Sequence, residues 1–149
     1  MDMADSQMDP NSLLIERFKA FYLDVKHPKL DKIDEIYTEN VLFKDPVHEL
    51  RGKENLHAYL SEMCENVQSG RFEYLDQLVS EDTAYIKWNM HFKHPKLGNK
   101  TITVRGISQV QFNDRIYFHE DVYDLGQVIY EHVPLLGIAV KGLKKRLAK

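Results

Sequence analysis

An α+β fold, in which N-terminal helices pack against a curved antiparallel or mixed sheet, is predicted by three features of the sequence. Apolar residues recur at steps of three and four through roughly the first 70 positions, then at every second position after Gly70. The period-two segments are separated by short turn signals, Glu81-Asp82, "PKLGN" and Asn113-Asp114, close enough for antiparallel hairpins. The helical segments precede most of the sheet instead of alternating with its strands, which distinguishes α+β from α/β. With 149 residues the chain can bury roughly 68–70 % of its unfolded surface, so one core suffices.

Taken in order, Asp9 before Pro10 is a helix start, and Leu14, Phe18, Phe21, Tyr22 and Val25 supply the apolar stripe of the first helix. Pro28 in "KHPKL" ends it by disfavouring helical geometry at His27. Leu30, Ile33 and Tyr37 predict a short second helix, and "NVLFKDP" a strand stopped by Pro46. Leu56, Tyr59, Leu60, Met63 and Val67 predict the third helix, with Cys64 beside the stripe as packing. Four strands follow, in "RFEYLDQLVS", "DTAYIKWNMHFKH", "KTITVRGISQVQF" and "RIYFHEDVYD", and a short C-terminal helix closes the chain. A long sheet curved around helices on one side is a half-open cone, and cones enclose pockets.

Alternation divides each strand into two faces. Ala84, Ile86, Trp88, Met90 and Phe92 share one face, and Val104, Gly106, Ser108, Val110 and Phe112 share one face of the next strand; both sets are expected to meet helices and cavity. The last strand is different, because Ile116, Phe118 and Val122 are expected to oppose Tyr117, His119, Asp121 and Tyr123, and neither set is plainly polar. If the second set faces inward, His119 and Asp121 project side by side, with Cα atoms about 6.5–7 Å apart, into a space lined by Trp88 and Met90. A carboxylate buried without a partner is costly or titrates at higher pH, and enzymes use that to make a base effective near neutrality. The competing reading pairs both residues with backbone or with Arg115 on a solvated edge.

Charge and composition narrow the function. The net charge is −3, but the last nine residues hold Lys141, Lys144, Lys145, Arg146 and Lys149 and no acid, so the rest of the chain carries −8. Such a body repels nucleic acid. With Leu136, Ile138, Val140, Leu143 and Leu147, the tail reads either as a solvated terminal helix or as a basic amphipathic helix in weak contact with a membrane surface. A single cysteine excludes internal disulfides. "MDMADSQMDP" lacks the apolar core of a signal peptide and "VPLLGIAV" is too short to cross a bilayer, so a cytoplasmic location is expected.

"IYTENVLFKDPVHELRGKENLHAYL", "VRGISQVQF" and "RIYFHEDVYD" together resemble the SnoaL-like branch of the nuclear-transport-factor-2-like superfamily, which includes polyketide cyclases and ketosteroid isomerases. The resemblance implies a cone-shaped, cystatin-like α+β barrel with a cavity between sheet and helices, a homodimer through the outer sheet face, and no metal or cofactor. It divides the chain into a flexible N-terminal tail (1–9), the SnoaL-like domain (10–132) and a basic C-terminal helix (133–149). In steroid isomerases an aspartate before proline at the end of the first strand is the base, here Asp45. The family's oxyanion donors would fall near Lys19 to Phe21 and at Ser108, a departure from its tyrosine and aspartate. In cyclases of the SnoaL type the acid/base aspartate stands on the later strands with a histidine nearby, an arrangement that Asp121 and His119 resemble better.

The leading expectation is therefore cofactor-independent acid/base chemistry, of isomerase, cyclase or dehydratase type, on a hydrophobic carbonyl compound. Asp121, His119 and Asp45 are the candidate catalytic residues, with His119, Ser108 or Tyr123 donating to the forming enolate. Phe18, Tyr59, Trp88, Met90, Ser108 and Tyr123 form the expected ligand-binding set. Two rivals stand beside this expectation. One is a binding module that holds a lipid or polyketide-like molecule unchanged. The other is a metal site opened by His119-x-Asp121, with His132 as third ligand.

Overall fold

The first helix starts where Asp9 and Pro10 place it, in a computed structural model that describes residues 8–98, 100–128 and 136–148. Helix α1 (Pro10–Tyr22) is capped by the Asp9 carboxylate, which accepts from the Ser12 N–H and hydroxyl, and it buries Leu14, Ile15, Phe18, Phe21 and Tyr22. A short 3₁₀ turn (Leu30–Lys32) leads into α2 (Ile33–Ile36). Tyr37, expected on that helix, instead opens strand β1 (Tyr37–Lys44), where it is fully buried and pairs with Ile116. A bulky aromatic with Thr38 behind it suits a pleated surface better than a helical turn.

A three-residue strand that the sequence did not signal, β2 (Glu49–Arg51), folds back on β1. Gly52 then turns the chain into α3 (Lys53–Asn66) at a φ of 98°, left-handed geometry that glycine adopts without penalty. The remaining strands are β3 (Ser69–Val79), β4 (Thr83–Lys93), β5 (Ile102–Phe112) and β6 (Ile116–Tyr123). They form one six-stranded sheet in the order β2-β1-β6-β5-β4-β3. Neighbours are antiparallel except β1 and β6, which run parallel, so the sheet is mixed and its last strand lies in its interior. A four-residue helix, α4 (Leu125–Val128), follows β6, and α5 (Leu136–Leu147) carries the basic tail. Residues 1–7 of the expected N-terminal tail, and His132, fall outside the described residues.

Helices α1 and α3 cover the inner face of the sheet, where Phe18, Phe21, Leu56 and Leu60 meet Ile86, Trp88, Val104 and Val110 in one core. Two bulges bend the sheet around it. In β3 the register shifts between Tyr74 and Asp76, which puts Leu75 outside. In β6, Gln111 pairs with Phe118 and Phe112 with Ile116, so Tyr117 is the extra residue. This corrects the simple alternation: Ile116 and His119 are both buried on the inner side, although they are three residues apart. The outer face of the sheet is only partly polar, since Leu75, Leu78, Tyr85, Ile107, Tyr117 and Val122 are exposed there.

The bulge predicts an asymmetry between two deletions. Removing Tyr117 should leave a regular ladder with His119 still inward and lower the melting temperature only modestly. Removing Glu120 has no bulge to absorb it, turns Asp121 outward and brings Val122 in, and should cost the fold several kcal/mol. Thermal melts of the two variants test this.

Candidate functional site

Strand β6 positions the site, paired with β5 along one edge and with β1 along the other as far as Glu120. His119 stands beside Phe43 of β1 and Val110 of β5, and Asp121 beside Ser108. The imidazole is 1 % exposed and is packed edge-on by Phe18 at 5.1 Å and Phe43 at 4.9 Å between ring centres. A ring so enclosed must satisfy both nitrogens within the protein. Nε2 lies 2.7 Å from Asp121 Oδ1, and Nδ1 lies 2.8 Å from the Tyr37 hydroxyl, which is itself 2.5 Å from the Tyr22 hydroxyl.

Counting hydrogens fixes the direction of this chain. An ionised Asp121 only accepts, so Nε2–H donates to it, and Nδ1 of a neutral ring accepts from Tyr37, which accepts from Tyr22. A cationic ring would reverse the two tyrosines and leave the Tyr22 proton without an acceptor among the described residues. Burial pushes the Tyr22 and Tyr37 phenols well above their ordinary range, so both remain donors.

A second branch reaches Asp121 from β5. Trp88 Nε1 donates to Ser108 Oγ over 2.9 Å, and Ser108 donates to Asp121 Oδ1 over 2.5 Å. The six-membered ring of the indole lies against Gly106, where an added Cβ would come within 2.3 Å of it, so a glycine is required for Trp88 to reach Ser108. Oδ1 thus carries two hydrogen bonds, whereas Oδ2 has none among the described residues, and the side chain keeps 19 % exposure.

That exposed edge faces a cavity of about 220 Å³ between the sheet and helices α1 and α3. Its wall is mainly apolar and aromatic: Phe18, Val25, Phe43, Leu60, Met63, Phe72, Trp88, Met90 and Phe92. Among the polar groups, Tyr74 donates to the Lys19 carbonyl and Tyr59 to Asp45. Tyr123 lines the same cavity with a hydroxyl that has no hydrogen-bond partner among the described residues. Burial first, then the Asp45 and Asp121 carboxylates, pushes its phenol above the ordinary range and keeps it a donor.

Asp45 reaches the cavity but is already engaged. Its Oδ1 accepts from the Val47 and His48 N–H groups at 2.8 and 2.6 Å, His48 Nδ1 stands 3.2 Å away, and its Oδ2 accepts from Tyr59 at 3.0 Å. It anchors the turn that follows β1.

A family model described as "SnoaL-like domain" matches residues 18–119, more than half of the chain. The chain belongs to that family. Solved structures agree on the fold. A chain from Jannaschia sp. CCS1 assigned as a SnoaL-like polyketide cyclase has a TM-score of 0.70 at 12 % identity, over 80 % of this chain and 89 % of that one. An NTF2-like protein of unknown function from Burkholderia pseudomallei K96243 has a TM-score of 0.70 at 14 % identity, over 82 % and 96 %. A protein with a ketosteroid isomerase-like fold from Catenulispora acidiphila DSM 44928, in complex with trimethylamine, has a TM-score of 0.68 at 10 % identity, over 78 % and 88 %. No curated protein matches the sequence.

The residues singled out in the sequence, Phe18, Asp45, Tyr59, Trp88, Met90, Ser108, His119, Asp121 and Tyr123, all line one cavity. Their expected roles change in two places. His119 and Ser108 are committed to Asp121, which leaves neither free to donate to a ligand. On α1 the cavity-lining tyrosine is Tyr22 rather than a residue of the 19–21 segment, and Lys19 bonds Glu16 and Gln77 instead. Both nitrogens of His119 are hydrogen-bonded, and no cluster of three or more His, Cys, Asp or Glu suited to a metal occurs among the described residues. Likewise, no helix among the described residues is long and apolar enough to cross a membrane. The sequence reading missed Tyr37 because its spacing from Ile33 mimicked a helical stripe.

The direction of the hydrogen-bond chain is testable. Tyr37→Phe strips His119 Nδ1 of its donor and should cost about 1–3 kcal/mol, while Tyr22→Phe removes only the terminal donor and should cost about 1 kcal/mol or less; urea unfolding distinguishes them. The raised phenols also set an alkaline limit. Unfolded tyrosines ionise near 10.0, below their buried counterparts, so in that window the unfolded state binds fewer protons. Melting temperature should therefore hold up to about pH 10 and fall above it.

Proposed function

We propose that this SnoaL-like domain binds a hydrophobic carbonyl compound and moves a proton on it without a cofactor, with Asp121 as the base and Tyr123 as the oxyanion donor. One observation carries this reading: Asp121 is held by two donors on Oδ1 and offers an unbonded Oδ2 to an apolar cavity beside an unbonded Tyr123 hydroxyl. The two side chains project from alternate residues of one strand, about 6.5–7 Å apart at Cα. A carbonyl seated between them would lose an adjacent C–H proton to Oδ2. The released electron pair moves onto the carbonyl oxygen, where Tyr123 O–H stabilises the enolate. Return of the proton to a different carbon completes an isomerisation, and attack of the enolate carbon on a second carbonyl, whose oxygen takes the proton back from Asp121, completes a cyclisation.

In this scheme His119 and Ser108 are positioning residues. They hold the carboxylate so that its free oxygen addresses the ligand. The exposed apolar residues of the outer sheet face, with Ile107 and Val122 side by side in register, support assembly as a homodimer through that face.

Trp88 is the only tryptophan and lines the cavity, so its fluorescence reports occupancy directly. Ligand that co-purifies can be identified by mass spectrometry and returned to fresh protein. The wild type should convert it, and Asp121→Asn should bind it with similar quenching while turning over roughly 10²–10⁴-fold more slowly. Ligand recovered unchanged from the wild type would replace this reading with that of a carrier.

A further inference from the structure

Helix α5 leaves part of its apolar surface uncovered. Ala139, Leu143 and Leu147 follow one another at four-residue steps and form a single column along the helix. All three are exposed, Leu143 at 58 % and Leu147 at 77 %. Arg146 and Lys144 flank that column, and Lys141 and Lys145 stand behind it, within one helix diameter of about 10–12 Å and thus about a Debye length from anything the column touches. Lys144 of the helix bonds the Asp124 carboxylate just after Tyr123 and holds that carboxyl below its usual range.

We infer that α5 is a docking surface for an anionic lipid bilayer. Apolar side chains in a column enter the boundary between headgroups and acyl chains, while Arg146 beside the column extends to the phosphates and Lys141 and Lys145 behind it add to the attraction at longer range. Charge selects this occupant over the others. A second copy of α5 laid on the first would bring together two helices with four basic residues each and no acid to match them. A nucleic acid would use the charges but leave Leu143 and Leu147 in water. The rest of the chain carries −8 against the +5 of the last nine residues, so the same surface that attracts α5 repels the domain and confines contact to the helix. Because Lys144 is tied to Asp124, docking would hold the Asp121–Tyr123 end of β6 close to the membrane.

The test is flotation of the full-length protein with vesicles of phosphatidylcholine alone or with about one-third phosphatidylglycerol. The protein should float only with the anionic vesicles and should detach in about 0.5 M salt. Leu143→Glu with Leu147→Glu should abolish flotation, and Lys141→Glu with Lys145→Glu should weaken it at least ~10-fold. Each variant should keep the wild-type melting temperature and Trp88 fluorescence. No flotation of the wild type, equal flotation with neutral vesicles, or flotation unchanged in the leucine variant would overturn the inference. So would a wild-type dimer that the leucine variant converts to monomer, which would make a second copy the occupant.

Discussion

A buried imidazole has two nitrogens to satisfy, and in this protein the solution to that requirement organises the rest of the site. His119 cannot reach water, so Nδ1 is met by Tyr37 at the start of β1 and Nε2 by Asp121 two residues along its own strand. The first bond ties β6 to β1 and, through Tyr22, to α1. The second spends one carboxylate oxygen and leaves the other for the cavity. In the low-dielectric interior, hydrogen bonds in a chain of this kind polarise one another, and an unsatisfied member would be costly. The one buried side-chain atom without a partner among the described residues, Asn89 Oδ1, lies on the other side of the sheet.

Topology makes that solution possible. A meander alone would leave β6 at an edge, with its histidine next to solvent. Parallel pairing with β1 instead moves β6 inside the sheet, and the bulge at Tyr117 lets both Ile116 and His119 point into the core. Because β1 ends at Lys44, opposite Glu120, the β6 residues beyond it are flanked by β5 alone. There the wall opens, and Asp121 and Tyr123 line the cavity.

The arrangement also separates two aspartates that look alike in the sequence. Asp45 and Asp121 each end up at the cavity, but Asp45 accepts from two backbone N–H groups and a phenol, whereas Asp121 is engaged on one oxygen only. Engagement rather than position decides which carboxylate remains available for chemistry. Trp88 contributes in the same way: Gly106 makes room for its ring, and its N–H passes along Ser108 to orient Asp121.

The sequence by itself determined the fold class, the helix starting at Asp9, the third helical stripe, the four long strands and the inner-face residues of β4 and β5. These follow from local periodicity and turn chemistry, which every residue carries with it. It also singled out His119 and Asp121, because polar side chains in the middle of a strand that alternation turns inward stand out against their neighbours. The tertiary structure alone decided that Tyr37 belongs to the sheet, that β6 pairs with β1, and that an extra residue at Tyr117 shifts the register. It alone joined Tyr22, Tyr37 and His119, which span nearly a hundred positions, into one chain of hydrogen bonds. Contacts between distant segments depend on how strands pair and where helices pack, and no spacing within a single strand encodes that.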